Sequence, residues 1–199
     1  MIMKFFCPSL LLFAVIFSSY GRAETKPDST TEDKKEMRDL VIRLLKWHEN
    51  NDVFEGFVPI YNETSRLAIG MDLKALQEAL DNLTESNFFD QEFINNYSNI
   101  VTNIDKEIKN KKIVFVEGDM PPYAGADPWC NCQEYPYENP WDKIDIDFIS
   151  IDKSSAVLTW TWGDSDWSKY FKYKVRAKKK NGEWRISYLE GFDFNDLTK

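Results

Sequence analysis

Histidine and cysteine are scarce in this sequence. Its 199 residues include one histidine, His48, and three cysteines, of which Cys7 lies in an apolar N-terminal run and Cys130 and Cys132 are separated by one residue. Structural zinc sites are built from four nitrogen, sulfur or oxygen ligands, so this set predicts no metal site. A serine or cysteine nucleophile needs a base, commonly histidine, and His48 falls on the apolar side of a predicted helix. We therefore expect no catalytic residue and no cofactor.

An excess of positive charge is also absent. The chain has 25 basic and 33 acidic residues, which gives a formal net charge of −8. Nucleic acids and anionic membrane surfaces attract basic proteins, so the balance argues against both as partners. The acidic charge fits either a well-solvated secreted protein or one that meets a basic protein partner, because opposite charge speeds the association of two proteins.

A long apolar run occurs only near the start of the chain. It extends from Phe5 to Phe17, and Gly21 and Ala23 occupy the −3 and −1 positions of a cleavage site. This pattern is typical of a secretory signal peptide, here residues 1–23. It predicts a periplasmic or secreted protein with no membrane span after cleavage. The alternative is an uncleaved anchor, although the run is shorter than the roughly 20 residues of a spanning helix.

Three amphipathic helices are predicted in the first half of the chain. The first is expected from about Thr31 to Asn50, and Asp72 and Asp90 can cap the second and third, because an aspartate side chain accepts the first free backbone N–H groups. Apolar residues follow each start at helical spacing. These residues are Met37, Leu40, Val41, Leu44 and Leu45 in the first helix, Leu73, Leu76, Leu80 and Leu83 in the second, and Phe93, Ile94, Tyr97, Ile100, Val101, Ile104 and Ile108 in the third.

The stretch from Ile144 to Leu189 alternates between apolar and polar residues, which is typical of half-buried strands. Four strands are predicted. The alternation slips after Phe148, which predicts a bulge, and Asn181-Gly182 predicts a type I′ hairpin turn. The aromatic residues predicted to face inward are Phe148, Trp160, Trp162, Trp167, Phe171, Tyr173, Trp184 and Tyr188.

This order of elements predicts an α+β fold, in which N-terminal helices pack on a curved antiparallel sheet. Residues 24–36 are polar and are predicted to form a flexible leader. Residues 37–199 are predicted to form a single domain. Within it, the segment from Val53 to Ile69 is expected to be irregular.

One long segment, from Glu117 to Trp141, shows no periodicity. Long loops in compact domains are usually functional or disordered, and the aromatic residues of this loop argue against disorder. Together with acidic neighbours they could form a binding surface; the alternative is that they fill the open end of the sheet. Cys130 and Cys132 could pair with each other in an oxidising compartment. The residues predicted to bind a partner are Tyr123, Asp127, Trp129, Gln133, Glu134, Tyr135, Tyr137 and Trp141.

Several segments together resemble a known bacterial family. They are residues 45–48 (LKWH), 87–94 (NFFDQEFI), 126–136 (ADPWCNCQEYP) and 181–186 (NGEWRI). Over most of its length the chain resembles the YbjP/YqhG-type secreted bacterial domain of unknown function, which is NTF2-like or cystatin-like in fold. That family is similar to immunity proteins of type VI secretion amidase effectors. The resemblance implies a periplasmic inhibitor of a peptidoglycan amidase and carries over no catalytic residues.

The lead hypothesis is a periplasmic, non-enzymatic domain that binds a basic protein partner through the long loop and the open end of the sheet. Deleting the loop should then abolish binding and leave the fold stable. A second hypothesis is a small-ligand-binding or enzymatic NTF2-like cone, in which Trp160, Trp162, Tyr173 and Trp184 would enclose a cavity. A third is a passive envelope protein. A deep cavity with a buried carboxylate would favour the cone, and a filled interior would favour the binding domain.

Overall fold

The computed structural model describes residues 29–50, 56–136 and 138–198. The signal peptide expected over residues 1–23 lies outside these ranges. No helix within them is long and apolar enough to cross a membrane. The predicted α+β fold class is confirmed, because helices pack beside antiparallel sheets.

The elements follow one another in the predicted order, with a small sheet added between the first two helices. The helices are α1 (Ser29–Glu49), α2 (Leu73–Glu85), α3 (Gln91–Lys109) and the short α4 (Phe194–Leu197). The strands are β1 (Pro59–Tyr61), β2 (Ala68–Met71), β3 (Asp145–Ile151), β4 (Ser155–Thr161), β5 (Tyr173–Lys180) and β6 (Glu183–Leu189).

Helix α1 begins inside the segment that the sequence assigns to a flexible leader. Asp33, in its second turn, is buried and accepts a hydrogen bond from the indole N–H of Trp184 (3.2 Å). The Asp33 carboxylate also forms an ion pair with Lys179. These contacts fix residues 29–36 to β5 and β6, so the described part of the expected leader is ordered helix.

The aspartate caps of α2 and α3 are confirmed. Asp72 Oδ1 accepts the backbone N–H groups of Lys74 and Ala75 at 2.9 and 3.2 Å, and Asp90 Oδ1 accepts that of Glu92 at 3.0 Å. Every residue predicted for the apolar stripe of α3 is buried. In α2 the stripe is buried or half-buried except for its first residue, Leu73, which is exposed.

Strands β3 to β6 form one antiparallel sheet in sequence order, and α1 and α3 pack on one face of it. The predicted bulge is confirmed, because the register between β3 and β4 shifts between Phe148 and Ser150. Asn181 and Gly182 have positive φ angles (53° and 85°), as the predicted type I′ turn requires.

Two residues predicted to face inward do not. The register between β5 and β6 shifts so that Ser187 is an extra residue, and Tyr188 therefore turns to the outer face, where Arg176 lies 4.7 Å from its ring centre. Trp167 was assigned to the third strand but belongs to a 3-10 turn over Asp166–Lys169 that precedes β5.

The segment expected to be irregular, Val53 to Ile69, contains β1 and the first two residues of β2, which pair as a hairpin. Residues 51–55 lie outside the described ranges. The segment from Ile113 to Val116 lies beside the start of β2: Val116 forms a bridge with Leu67, and the backbone N–H of Ala68 donates to the carbonyl of Phe115 at 3.0 Å. This small sheet lies against α3, whose Asp105 accepts the backbone N–H of Met71 at 2.9 Å.

Candidate partner-binding surface

The long loop enters the interior of the protein before it returns to the surface. Tyr123, Trp129 and Trp141 are almost fully buried. The sequence predicted that these three side chains contact a partner, but their burial gives them a core role instead. Tyr137 lies outside the described residues.

Trp129 is the centre of an aromatic cluster that joins the loop to the helices. Its ring stacks on that of His48 (centroids 5.0 Å apart, 13° between planes) and lies 5.0 to 6.2 Å from four others. Buried aromatic pairs at such separations contribute beyond the area they remove from water. The four further rings are those of Trp47, Phe89, Phe93 and Phe192.

His48 and Asp127 connect α1 to the loop. His48 Nε2 lies 2.8 Å from Asp127 Oδ2, while Asp127 Oδ1 accepts the backbone N–H of Trp129 at 2.9 Å. The imidazole is buried between this carboxylate and the Trp129 ring, as expected for a packed histidine. Within the described residues no three His, Cys, Asp or Glu side chains form a group that could hold a metal ion.

Cys130 and Cys132 form a disulfide within this loop (Cα atoms 5.1 Å apart). The backbone N–H of Asp127 donates to the carbonyl of Cys132 at 2.9 Å, which closes a tight turn. The buried hydroxyl of Tyr173 donates to the carbonyl of Pro128 at 2.7 Å and accepts the backbone N–H of Gly191 at 3.1 Å. The turn is thus fixed to the start of β5 and to the chain that follows β6.

The interior next to the sheet is filled by aromatic rings. The centroid of Trp160 lies 4.9 Å from that of Trp162 and 5.3 Å from that of Tyr173, and Trp162 lies 5.5 Å from Trp141. Trp184, the remaining residue that the cone hypothesis places around a cavity, is buried against α1 through its bond to Asp33. Among the described residues, Trp160, Trp162 and Tyr173 thus pack against one another, whereas Trp184 packs separately against α1.

The loop reaches the surface at Gln133, Glu134 and Tyr135, all of which are exposed. The ring of Tyr135 lies 5.1 Å from that of Trp141 and 6.1 Å from that of Trp162, and 39% of the residue is accessible. Its partial burial raises the pKa of Tyr135, and the carboxylates of Asp127 and Glu49 raise it further. The hydroxyl is therefore a neutral hydrogen-bonding group at physiological pH.

Two further aromatic residues are exposed at the same end of the sheet, in the connection between β4 and β5. Trp167 is 39% accessible and Tyr170 is 90% accessible. Trp162 links this connection to Tyr135, because its ring contacts both Tyr135 (6.1 Å between centroids) and Phe171 (5.4 Å). The same two segments carry exposed carboxylates, of which that of Asp166 forms an ion pair with the exposed Lys169 (2.7 Å). We call this set the acidic aromatic surface; it consists of Gln133, Glu134, Tyr135, Glu138, Asp164, Asp166, Trp167 and Tyr170.

Trp167 and Tyr170 were not predicted as site residues. The sequence nevertheless indicates that they lie outside the strand. Apolar and polar residues alternate from Phe171 onwards, but this alternation does not extend back to Trp167, because the charged Lys169 occupies a position where an apolar, inward-facing residue is required. The residues between Gly163 and Phe171 therefore belong to the turn.

Comparisons of this chain with protein-family models, with curated proteins and with solved structures find no match.

Proposed function

We propose that this chain is a periplasmic, non-enzymatic binding protein that holds a basic protein partner on its acidic aromatic surface. The observation that carries the proposal is the exposure of Tyr135, Trp167 and Tyr170 beside several exposed carboxylates. Tyr and Trp are enriched among the residues that contribute most to protein binding. Carboxylates around them would steer a basic partner and disfavour an acidic one.

The filled interior supports a binding protein over a cone that encloses a small ligand. Trp160, Trp162 and Tyr173 occupy the space in which such a ligand would lie. Fully buried aromatic side chains cannot contact a ligand unless the core opens, which would expose large apolar area to water. We therefore expect a partner to contact the acidic aromatic surface and not the interior.

Tyr135 is also held in place before any partner arrives. Tyr135 rests on Trp141 and Trp162, and the loop that carries it is fixed by the contact of His48 with Asp127 and by the disulfide. A preorganised surface loses little conformational entropy on binding, which increases the net affinity.

The partner suggested by the resemblance of residues 126–136 and the other quoted segments is a peptidoglycan amidase. The chain would then act as an immunity-type inhibitor that blocks a cell-wall effector in the periplasm. Residues 1–23, with the pattern of a secretory signal, are consistent with that compartment.

The test is a pull-down with residues 24–199 as bait and periplasmic extract or a purified amidase effector as prey. The intact chain is expected to retain a basic, wall-active protein, and the triple variant Tyr135→Ala, Trp167→Ala, Tyr170→Ala is expected to lose it. All three side chains lie at the surface, and those of Tyr135 and Trp167 are partly buried. Circular dichroism should show that the variant folds. Deleting the loop is not a suitable test, because the loop supplies Trp129 and Trp141 to the core.

Tyr188→Ala is the control, since Tyr188 is a half-buried aromatic residue on the outer face of the sheet, away from the acidic aromatic surface. The control should bind as the intact chain does. Equal retention by the triple variant would assign binding to another surface. If nothing is retained by any of the three proteins, the proposal fails in favour of a small ligand or a passive envelope role.

A further inference from the structure

The outer face of the small sheet is aliphatic. One face of this sheet packs against α3, and exposed residues alternate with covered ones along both of its strands. Ile60 in β1 and Ile69 in β2 are exposed, as are Val58 and Leu67, which precede them by two residues. Ile69 and Gly70 both lie opposite Ile60 in a β-bulge, so the two exposed isoleucines are neighbours.

The segment beside β2 extends this face. Because Val116 bridges Leu67, Val114 lies two residues along on the same side. Val114 is 60% accessible, whereas Phe115, between the two valines, is buried. We call this set the aliphatic face; it consists of Val58, Ile60, Leu67, Ile69 and Val114.

The composition of this face differs from that of a sheet surface in contact with water. The water-facing side of an antiparallel sheet normally carries polar residues, as β5 does with Arg176 and Lys178. The aliphatic face instead exposes roughly 400 Å² of apolar side chains, and apolar patches of this size commonly mark interaction sites. A second layer supplied by another molecule would remove that area from water.

The two segments that carry the aliphatic face are electrically neutral. Residues 56–74 and 111–120 contain equal numbers of basic and acidic side chains, although the whole chain has a net charge of −8. The basic residues are Arg66, Lys74, Lys111 and Lys112, and the acidic residues are Glu63, Asp72, Glu117 and Asp119. At the border of the face, Arg66 and Glu117 already pair with each other (2.9 Å).

This local neutrality indicates which partner the face suits. A strongly basic or strongly acidic molecule would find no complementary charge here. Two copies of the chain can approach through this face without the repulsion that a net negative charge imposes elsewhere on their surfaces. A second copy therefore fits better than a highly charged protein or an anionic lipid surface.

The available area is also sufficient for two copies. Two aliphatic faces packed on each other would bury roughly 800 Å² of apolar surface. Because homodimer interfaces are about 65% apolar, this corresponds to a total of about 1,200 Å², the lower end of the range for specific interfaces. Sheets can pack face to face, and a twofold axis brings the same patch of both copies together.

We propose that two copies of this chain pack through their aliphatic faces into a twofold dimer. The interface is at the lower end of the size range, so we expect reversible association with a dissociation constant of roughly 10 to 100 µM. The aliphatic face shares no residue with the acidic aromatic surface. The dimer does not rest on the proposed binding of a basic partner, and either proposal can fail without the other.

Sedimentation velocity of residues 24–199 tests the proposal at chain concentrations from about 5 to 500 µM, which span the expected dissociation constant. The mean mass is expected to rise from that of a monomer to that of a dimer. Amide NMR spectra over the same range should shift in β1, β2 and residues 113–116. This map locates the interface without any substitution.

The variants Ile60→Lys and Ile69→Lys, made singly, should each weaken the dimer at least tenfold, because each places two like charges in the interface. Both positions are exposed, and lysine is common on exposed strands, so circular dichroism should show folded chains. Ile149→Lys is the matched control, since Ile149 is a 61% accessible isoleucine on β3. It should dimerise as the intact chain does.

Three results would overturn the proposal: a chain that stays monomeric at about 500 µM, undiminished dimerisation of both variants, or an equal loss in the Ile149→Lys control. A monomeric chain that binds phosphatidylcholine vesicles, and loses this binding in Ile69→Lys, would assign the aliphatic face to a lipid surface instead. NMR shifts confined to other elements would place the dimer interface elsewhere and would also contradict the proposal.

Discussion

Single residues fix the loop to the rest of the protein, and Gly191 is the tightest of these positions. A Cβ atom at Gly191 would lie 1.9 Å from the carbonyl oxygen of Pro128, a backbone atom that cannot move aside alone. We expect Gly191→Ala to lower the free energy of unfolding by about 2 kcal/mol or more, as overpacked sites do. Urea denaturation measures the change.

Gly125→Ala is the matched control, because Gly125 belongs to the long loop that packs on Gly191, yet a Cβ atom at Gly125 meets no atom within 4 Å. This variant should stay within about 0.5 kcal/mol of the intact chain. Similar losses in both variants would show that the loop does not pack against Gly191.

Buried tyrosines make the protein sensitive to alkaline pH. Burial raises the pKa of the Tyr173 phenol well above its ordinary value of 10.0, and burial also raises that of Tyr123. Above pH 10 the unfolded chain releases these protons while the folded chain keeps them, so stability is complete below pH 10 and falls as pH rises beyond it. We expect the urea midpoint to decrease steeply over this range.

The variant Tyr173→Phe separates this effect from other alkaline changes. It should be less stable at neutral pH by about 1 to 3 kcal/mol, because the carbonyl of Pro128 and the N–H of Gly191 lose their partner. Its stability should nevertheless fall less steeply above pH 10 than that of the intact chain. An unchanged slope would mean that Tyr173 is accessible to water. Tyr170→Phe, at an exposed position, should change neither quantity.

At the scale of elements, the disulfide turn is held more by its surroundings than by its covalent bond. Cross-linking two cysteines that enclose one residue removes little entropy from the unfolded chain, about 1.5 kcal/mol for a three-residue loop. The double variant Cys130→Ala, Cys132→Ala should therefore remain folded and lose about that amount in urea denaturation. A loss above about 4 kcal/mol would show that the disulfide, and not the packing of Trp129, maintains the turn.

The regular elements were predictable because each carries its own local signal. Asp72 and Asp90 mark the starts of α2 and α3, and the alternation from Ile144 onwards marks the sheet. The prediction of inward-facing residues fails where one extra residue in a strand exchanges its inner and outer faces. Ser187 has this effect in β6 and turns Tyr188 to the outer face. The hairpin of β1 and β2 was missed because strands of three and four residues are too short to show a period of two.

The candidate site was only partly predictable for a different reason. The composition of the long loop indicated that its aromatic residues matter, but an aromatic side chain serves equally in a core and in an interface. Whether Trp129 is buried and Tyr135 exposed depends on partners such as His48 and Phe192, which are distant in sequence. No local pattern records those contacts.

For the molecule as a whole, the loop is part of the core and not an appendage to it. Trp129 contacts α1 through His48 and Trp47, α3 through Phe93, and the C-terminal segment through Phe192. The sequence-based expectation that the loop can be deleted without loss of the fold therefore conflicts with its packing. Deletion would remove the contacts that join these three parts.

The variant Trp129→Ala tests this conclusion with an intact loop. Truncating a fully buried tryptophan costs about 3 to 5 kcal/mol, a large part of the roughly 5 to 15 kcal/mol that stabilises a typical domain. Thermal and urea denaturation should both show this loss. Trp167→Ala removes the same side chain from an exposed position and should change stability by less than about 0.5 kcal/mol. If the two variants are equally stable, the loop is not in the core, and its deletion becomes a valid test of partner binding again.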